Sequence, residues 1–100
     1  MHQHVINASI QLLPIGLDKH PYLWVDDAIA IIQDSGLSHE VGPFSTSVEG
    51  TYPEVFGLIH QLNDFLCAAG CPEWILQLQI QIRNQDDIRA KEKTAKFRDA

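Results

Sequence analysis

Cysteines, basic residues and long apolar runs are all scarce in this sequence, and each shortage excludes a class of protein. The two cysteines, Cys67 and Cys71, do not have the C-x-x-C redox spacing, and two residues cannot complete a four-ligand zinc site. We expect both to be thiols buried at the end of a helix. No window approaches the ~20 consecutive apolar residues of a membrane span. The first residues also lack the basic start and apolar block of a signal peptide, so we predict a cytoplasmic protein.

Basic residues are scarcest in the body of the chain. Residues 1–82 carry one basic and nine acidic side chains, a net charge of −8. Residues 83–100 carry six basic and four acidic side chains, a net charge of +2, and the two segments together give the overall net charge of −6. An acidic body argues against nucleic acid, which a basic patch would bind. The mixed charges predict a tail over residues 85–100 that is solvated or packs on the body or a sister subunit, leaving residues 1–84 for the folded domain.

Motifs for catalysis are equally scarce. The six glycines occur singly along the chain, so there is no glycine-rich phosphate loop. No Ser-His-Asp or Cys-His arrangement is clearly brought together by the predicted elements. His2 and His4 could hold a metal, but we assign neither a metal nor a cofactor because they lie so close to the terminus. Hydrogen-bonding side chains without a nucleophile suit a protein that binds a small polar ligand and is not an enzyme.

The first half of the chain predicts a strand, a helix and two more strands. Apolar and polar residues alternate from His4 to Ile15, which predicts a half-buried strand. A stripe at helical spacing, with Pro21 suited to the first turn, predicts a helix over residues 21–35 that ends at Gly36. The segment "LSHEVGPFSTSVEG" then predicts two short strands around a Gly-Pro turn.

The second half predicts a helix and a last strand. Gly50 lets the backbone turn into Thr51, which with Glu54 has the spacing of a capping box. The apolar face that follows predicts a helix ending at Gly70, and strict alternation in "EWILQLQIQI" predicts the last strand. The order β-α-β-β-α-β is that of a ferredoxin-like α+β fold, a four-stranded antiparallel sheet with two helices on one face.

In that topology strands one and three are central and strands one and four are neighbours, so their polar side chains should share the face away from the helices. These side chains are Asn7, Ser9, Gln11, Gln77, Gln79 and Gln81. On strand three, Glu49 joins them if Val48 points toward the helices. Because Lys and Glu are usual on a face that only meets water, amides favour a covered face. We therefore predict face-to-face packing of sheets in an oligomer; the alternative is a solvated polar face.

Three segments carry a resemblance to a known family: "ASIQLLPIG", "AIAIIQDSGLSHEVGPFSTSVEG" and "EVFGLIHQLNDFLCAAGCPEW". Their most specific feature is a first strand ending in Pro-x-Gly, followed by an S-G-L corner and by T-x-V-E-G before the second helix. Over nearly its whole length the chain resembles the YkoF-like family of thiamine-binding proteins. The resemblance implies a ligand-binding domain that holds thiamine (vitamin B1) or its hydroxymethylpyrimidine moiety without catalysis.

The resemblance also implies a homodimer or homotetramer built by packing sheets. Family members carry Thr and Glu at the positions of Thr46 and Glu49, which are therefore implied ligand contacts. Geometry on the first strand adds Ser9 and Gln11, and Ser47 completes the set although the family often has an apolar residue there. This site requires the serine, threonine and amide side chains to line up on the side of the sheet away from the helices. If they do, Glu49→Gln should weaken pyrimidine binding with folding intact.

An acidic site or an aromatic face would favour the cationic thiazolium ring of whole thiamine. Trp24, Tyr22 and Tyr52 are candidates for that face, with ordinary packing as the alternative. Two other functions remain open at this point. One is a structural module whose sheet face is only a subunit interface. The other is an enzyme of the dimeric α+β barrel type, which would need His39 or His60 as its base.

Overall fold

The helices and strands follow one another in the predicted β-α-β-β-α-β order in the computed structural model, which describes residues 3–16 and 20–89. They are β1 (Val5–Ile15), α1 (Pro21–Asp34), β2 (Ser38–Val41), β3 (Thr46–Thr51), α2 (Tyr52–Ala68) and β4 (Glu73–Gln81). The ferredoxin-like α+β fold is confirmed. Within those ranges, no helix has both the length and the apolar character needed to cross a membrane.

The four described strands form one antiparallel sheet in the order β2-β3-β1-β4, with β1 and β3 in the centre as predicted. Ala8 of β1 lies between Val48 of β3 and Ile80 of β4, and residues directly opposite one another in a sheet share a face. Ala8 and Val48 are almost completely buried, so this is the face that the helices cover. The alternate side chains of each strand point to the other side.

Both helices begin with the local signals seen in the sequence. Pro21 occupies the first turn of α1, and Nδ1 of His20 accepts a hydrogen bond from the backbone N–H of Tyr22 at 3.2 Å. At the start of α2 the capping box is complete. The Thr51 N–H donates to Glu54 Oε1 at 2.9 Å, and the Glu54 N–H donates to Thr51 Oγ1 at 3.4 Å. The first of these two bonds is the main reason that the pKa of Glu54 is lowered.

Two glycines end the helices, and a third allows close packing. Gly36 and Gly70 follow α1 and α2 with φ angles of 78° and 82°, the left-handed conformation predicted at both helix ends. Gly50 is not the predicted corner, because β3 continues through it. A Cβ at Gly50 would approach Leu37 Cδ2 to 3.3 Å and Glu54 Cβ to 3.4 Å. Glycine at this position therefore lets the strand pack closely against its neighbours.

The core lies between the two helices and the sheet. Its larger cluster consists of Ile10, Leu12, Trp24, Ala28, Ile32, Val48, Leu58, Leu62, Leu66 and Cys71. Cys71 is buried as predicted, but Cys67 is exposed, which corrects the expectation that both thiols are buried. The reason is helical geometry: Cys67 follows the buried Leu66 and is rotated by ~100° around the axis of α2.

Residues 83–89 return from the end of β4 to the start of β1. The Val5 N–H donates to Asp87 Oδ1 at 2.7 Å, and the Ile88 N–H donates to the Val5 carbonyl at 3.0 Å. The first bond is the main cause of the lowered pKa of Asp87. The beginning of the predicted tail thus contacts the body of the chain. The rest of that tail, residues 90–100, lies outside the described residues, so its packing stays a prediction.

Candidate functional site

The side of the sheet away from the helices, which we call the open face, carries the predicted polar side chains. The strand register places Ser9 between Ser47 and Gln79. It places Asn7 between Glu49 and Gln81 in the adjacent row. Four of the five predicted ligand contacts therefore share this face: Ser9, Gln11, Ser47 and Glu49.

Thr46 does not join them. It pairs with Ile10, a core residue, and is itself 5% exposed. The expectation that the threonine lines up on the open face is wrong, because Thr46 and Glu49 are three positions apart on one strand and point to opposite sides. A single ring held within one subunit cannot contact both side chains.

Glu49 lies at one end of the open face and interacts with the return segment. Its Oε2 is 3.6 Å from Nη1 of Arg89, and its side chain is only 14% exposed. Arg89 is half exposed, so the ion pair is partly screened by solvent. The carboxylate is thus partly neutralised within the chain before any ligand approaches it.

Asn7 presents a hydrogen-bond donor on the open face. The residue is 6% exposed, and its Nδ2 is buried without an acceptor within the described part of the chain. Asn7 lines a groove together with Ser9, Gln79 and Gln81. An unsatisfied buried donor costs about 1–3 kcal/mol. Among the described residues, this donor is therefore an unpaired polar group that lies buried beneath the open face.

Apolar side chains continue the open face beyond the glutamines. Leu13 pairs with Ile75, and Ile15 lies further along β1 on the same side. All three are exposed, by 37%, 47% and 41% respectively. Sequence reasoning concentrated on the amides and missed this apolar patch. The signal was available, because the alternation that places Gln77 on this face also places Ile75 there.

A cavity of ≈ 200 Å³, which we call the helix-side cavity, lies on the other side of the sheet. Both helices, β1, β4 and the loop between β2 and β3 contribute to its lining. Most of the lining side chains are apolar, among them Ile10, Leu12, Val25, Ala28, Ile29, Ile32, Leu62 and Leu66. Thr46 and Ser45 add hydroxyl groups, Gln11 adds an amide, and none of the lining residues is charged. This combination suits an uncharged ring that has apolar faces and a polar edge.

Exposed side chains mark where the helix-side cavity opens to solvent. Tyr22, Val41 and Phe44 line it and are 73%, 47% and 81% exposed. Of the three aromatic residues predicted to face a cation, only Tyr22 lines the cavity. Trp24 is buried in the core, and the ring of Tyr52 stacks on a neighbouring ring of α2 at 4.4 Å. Phe44 was missed, although an aromatic residue directly after a Gly-Pro turn is a signal of exposure.

A family model described as "Thiamine-binding protein" matches residues 8–98, which is most of the chain. The protein belongs to the thiamine-binding protein family. The resemblance seen in the sequence is therefore confirmed.

Other proteins and solved structures resemble this chain over similar lengths. A UPF0045 protein of Clostridium perfringens is 28% identical over 92 residues, covering 92% of this chain and 96% of the relative. The structure of a domain of unknown function from Bacillus cereus is 29% identical with a TM-score of 0.90, covering 97% of this chain and 93% of the other. A Thermotoga maritima protein provisionally assigned to thiamine biosynthesis or salvage is 30% identical with a TM-score of 0.84, covering 93% and 98%.

The histidines offered as a catalytic base lie away from the helix-side cavity. His39 is exposed on β2, with its Nδ1 2.9 Å from the Leu37 carbonyl, and His60 is exposed on α2. Neither lines the cavity. Within residues 3–16 and 20–89, no cluster of three or more His, Cys, Asp or Glu side chains is placed to hold a metal ion. The enzyme alternative therefore gains no support from the geometry of the cavity.

Proposed function

We propose that the protein binds the pyrimidine of thiamine (vitamin B1), or free hydroxymethylpyrimidine, in the helix-side cavity. Binding is non-catalytic and takes place in the cytoplasm. The observation that carries the proposal is a cavity of ≈ 200 Å³, lined mainly by apolar side chains, in a chain of the thiamine-binding family. The ligand contacts are then Thr46 and the apolar lining, with Gln11 and Ser45 as further polar lining residues.

The size of the cavity favours one ring. An apolar cavity of about 150 Å³ accepts benzene, whereas drug-sized ligands occupy pockets of about 300–1,000 Å³. A volume of ≈ 200 Å³ lies between these values and suits a six-membered ring with small substituents. Hydroxymethylpyrimidine is such a ring.

The chemistry of the lining is also compatible with a pyrimidine. The ring has two flat faces that gain from contact with apolar side chains. Its edge carries an amine donor next to a ring-nitrogen acceptor, and the Thr46 hydroxyl can donate or accept a hydrogen bond. Because Thr46 is buried, a pyrimidine edge that fails to pair with it leaves a polar group unsatisfied, at a cost of about 1–3 kcal/mol. The site therefore favours rings with a matching polar edge.

We further propose that the open face packs against the open face of a second copy, giving a homodimer or homotetramer. Ser9, Ser47 and Glu49 then contact the second copy instead of a ligand buried in their own subunit, whereas Gln11 also lines the cavity. Amide side chains both donate and accept hydrogen bonds, so a face rich in them is complementary to itself. The exposed apolar patch would be covered by such contact.

Thermal unfolding with hydroxymethylpyrimidine tests the ligand proposal. A ligand at a hundredfold excess over its dissociation constant adds about 2.7 kcal/mol to the free energy of unfolding. For a domain of this length, that corresponds to a rise in Tm of roughly 10–20 °C. We expect such a rise with hydroxymethylpyrimidine and with thiamine. Hydroxyethylthiazole, the other half of thiamine, is the control and should leave Tm unchanged.

The same measurement separates the proposal from the structural-module alternative. If thiamine, its phosphates and hydroxymethylpyrimidine all leave Tm unchanged, the sheet face is only a subunit interface and the ligand proposal is wrong. A rise with the thiazole control alone would place the binding determinant in the other ring and would contradict the role of Thr46.

A further inference from the structure

The helix-side cavity can enclose one ring, so a ligand with two rings must extend out of it. Thiamine carries a cationic thiazolium ring, joined through one methylene group to the pyrimidine. Because a cavity of about 150 Å³ is already suited to a single benzene ring, a volume of ≈ 200 Å³ does not leave room for the second ring. When the pyrimidine lies inside, the thiazolium lies at the opening. The side chains there decide how well the cation is held.

Two exposed aromatic rings lie at that opening. Among the large hydrophobic side chains of the described residues, Tyr22 and Phe44 are the only exposed aromatic ones, and both line this cavity. They come from different elements: Tyr22 from the first turn of α1 and Phe44 from the loop between β2 and β3. Exposed apolar side chains gathered at one concave place mark binding sites more often than scattered ones do.

We propose that Tyr22 and Phe44 form an aromatic subsite that binds the thiazolium ring of thiamine through cation–π contact. This inference rests on the proposed binding of the pyrimidine in the cavity. No charged side chain lines the cavity, so an ion pair with the lining is not the source of cation binding. Aromatic faces attract flat organic cations without one. The subsite therefore favours whole thiamine over its pyrimidine half.

The local structure positions both rings. The Tyr22 ring packs on the His20 ring, with centroids 5.1 Å apart and an interplanar angle of 35°, and the Tyr22 N–H donates to His20 Nδ1. Phe44 lies in a turn closed by a hydrogen bond from the Gly42 N–H to the Ser45 carbonyl at 2.8 Å. The Tyr22 ring is thus supported by His20, and the backbone that carries Phe44 is fixed by its own turn. Single substitutions can therefore be interpreted separately.

Calorimetric titration of the full chain with thiamine and with hydroxymethylpyrimidine tests the subsite. In Phe44→Leu and Tyr22→Leu, leucine keeps an apolar side chain but removes the aromatic face. We expect each variant to bind thiamine about 2- to 30-fold more weakly than the wild type, the range that cation–π contacts supply. Affinity for hydroxymethylpyrimidine should fall by a smaller factor than affinity for thiamine, because both residues line the cavity but only thiamine carries the cation. Leu23→Ala is the control, because Leu23 is exposed beside Tyr22 and does not line the cavity.

The outcomes distinguish the subsite from the proposed function on which it rests. If a folded Phe44→Leu and Tyr22→Leu bind thiamine like the wild type, or lose affinity equally for both ligands, the aromatic subsite is wrong while pyrimidine binding stands. If the wild-type protein binds neither ligand, the proposed function fails and the subsite fails with it. A selective loss for thiamine, absent in Leu23→Ala, supports the subsite.

Discussion

Replacing Ile75 with lysine is expected to convert the oligomer to folded monomers. Ile75 is exposed in the single chain and belongs to the apolar patch of the open face, so lysine at this position costs an isolated subunit little. When two open faces pack together, the same lysine is buried without a partner in each copy. An uncompensated buried charge costs about 3–5 kcal/mol. Each copy contributes one such charge, so we expect the dissociation constant of the proposed oligomer to rise by at least roughly a hundredfold, measured by analytical ultracentrifugation.

Leu23→Lys is the matched control for this substitution. Like Ile75, Leu23 is an exposed aliphatic side chain, but it lies on α1, on the helix side of the sheet. The oligomer should survive Leu23→Lys, and both variants should keep the wild-type circular dichroism spectrum. An Ile75→Lys variant that assembles as the wild type does would show that the open face is not the interface. A wild-type protein that is monomeric would show the same.

Thr46→Val is expected to weaken hydroxymethylpyrimidine binding by roughly 5- to 150-fold. Valine nearly matches the shape of threonine but lacks the hydroxyl, so the polar edge of the buried ring loses its partner at a cost of about 1–3 kcal/mol. Thr46 is 5% exposed, and water cannot readily replace the lost hydrogen bond. Calorimetry gives the affinity, and thermal unfolding verifies that the variant is folded.

Comparing Glu49→Gln with Thr46→Val shows on which side of the sheet the pyrimidine binds. Glu49 is on the open face, so binding in the helix-side cavity predicts that Glu49→Gln leaves pyrimidine affinity unchanged. If Glu49→Gln weakens binding and Thr46→Val does not, the ligand lies on the open face, as the sequence analysis expected. The two substitutions are three residues apart on one strand and report on opposite surfaces.

The fold could be predicted from the sequence because its signals are local. The alternation in β1 and β4, the capping box at Thr51 and Glu54, and the glycines after both helices each depend on a few neighbouring residues. Strand order followed from the topology once the elements were known. The composition of the open face then followed from the period of two along each strand.

The candidate site was predictable only in part, for two different reasons. The placement of Thr46 could have been predicted, because Val48 faces the core and side chains two positions apart on a strand point to the same side. The resemblance nevertheless grouped Thr46 with Glu49, although an odd number of positions separates the two residues. The cavity and its opening could not be predicted. They depend on how the start of α1 approaches the loop that carries Phe44, a long-range contact without a periodic signal. The hydrogen bond from the Val5 N–H to Asp87 also joins residues far apart in the sequence, so no local pattern predicts it.

The central claim is that a pyrimidine ring binds on the helix side of the sheet. Titration of methyl-labelled protein with hydroxymethylpyrimidine, followed by NMR, tests it most directly. Ile29 and Leu62 line the helix-side cavity, whereas Leu13 and Ile75 lie on the open face, so their methyl signals report on the two surfaces separately. We predict that the Ile29 and Leu62 signals shift with saturation while those of Leu13 and Ile75 stay in place. Shifts confined to Leu13 and Ile75 would contradict the account.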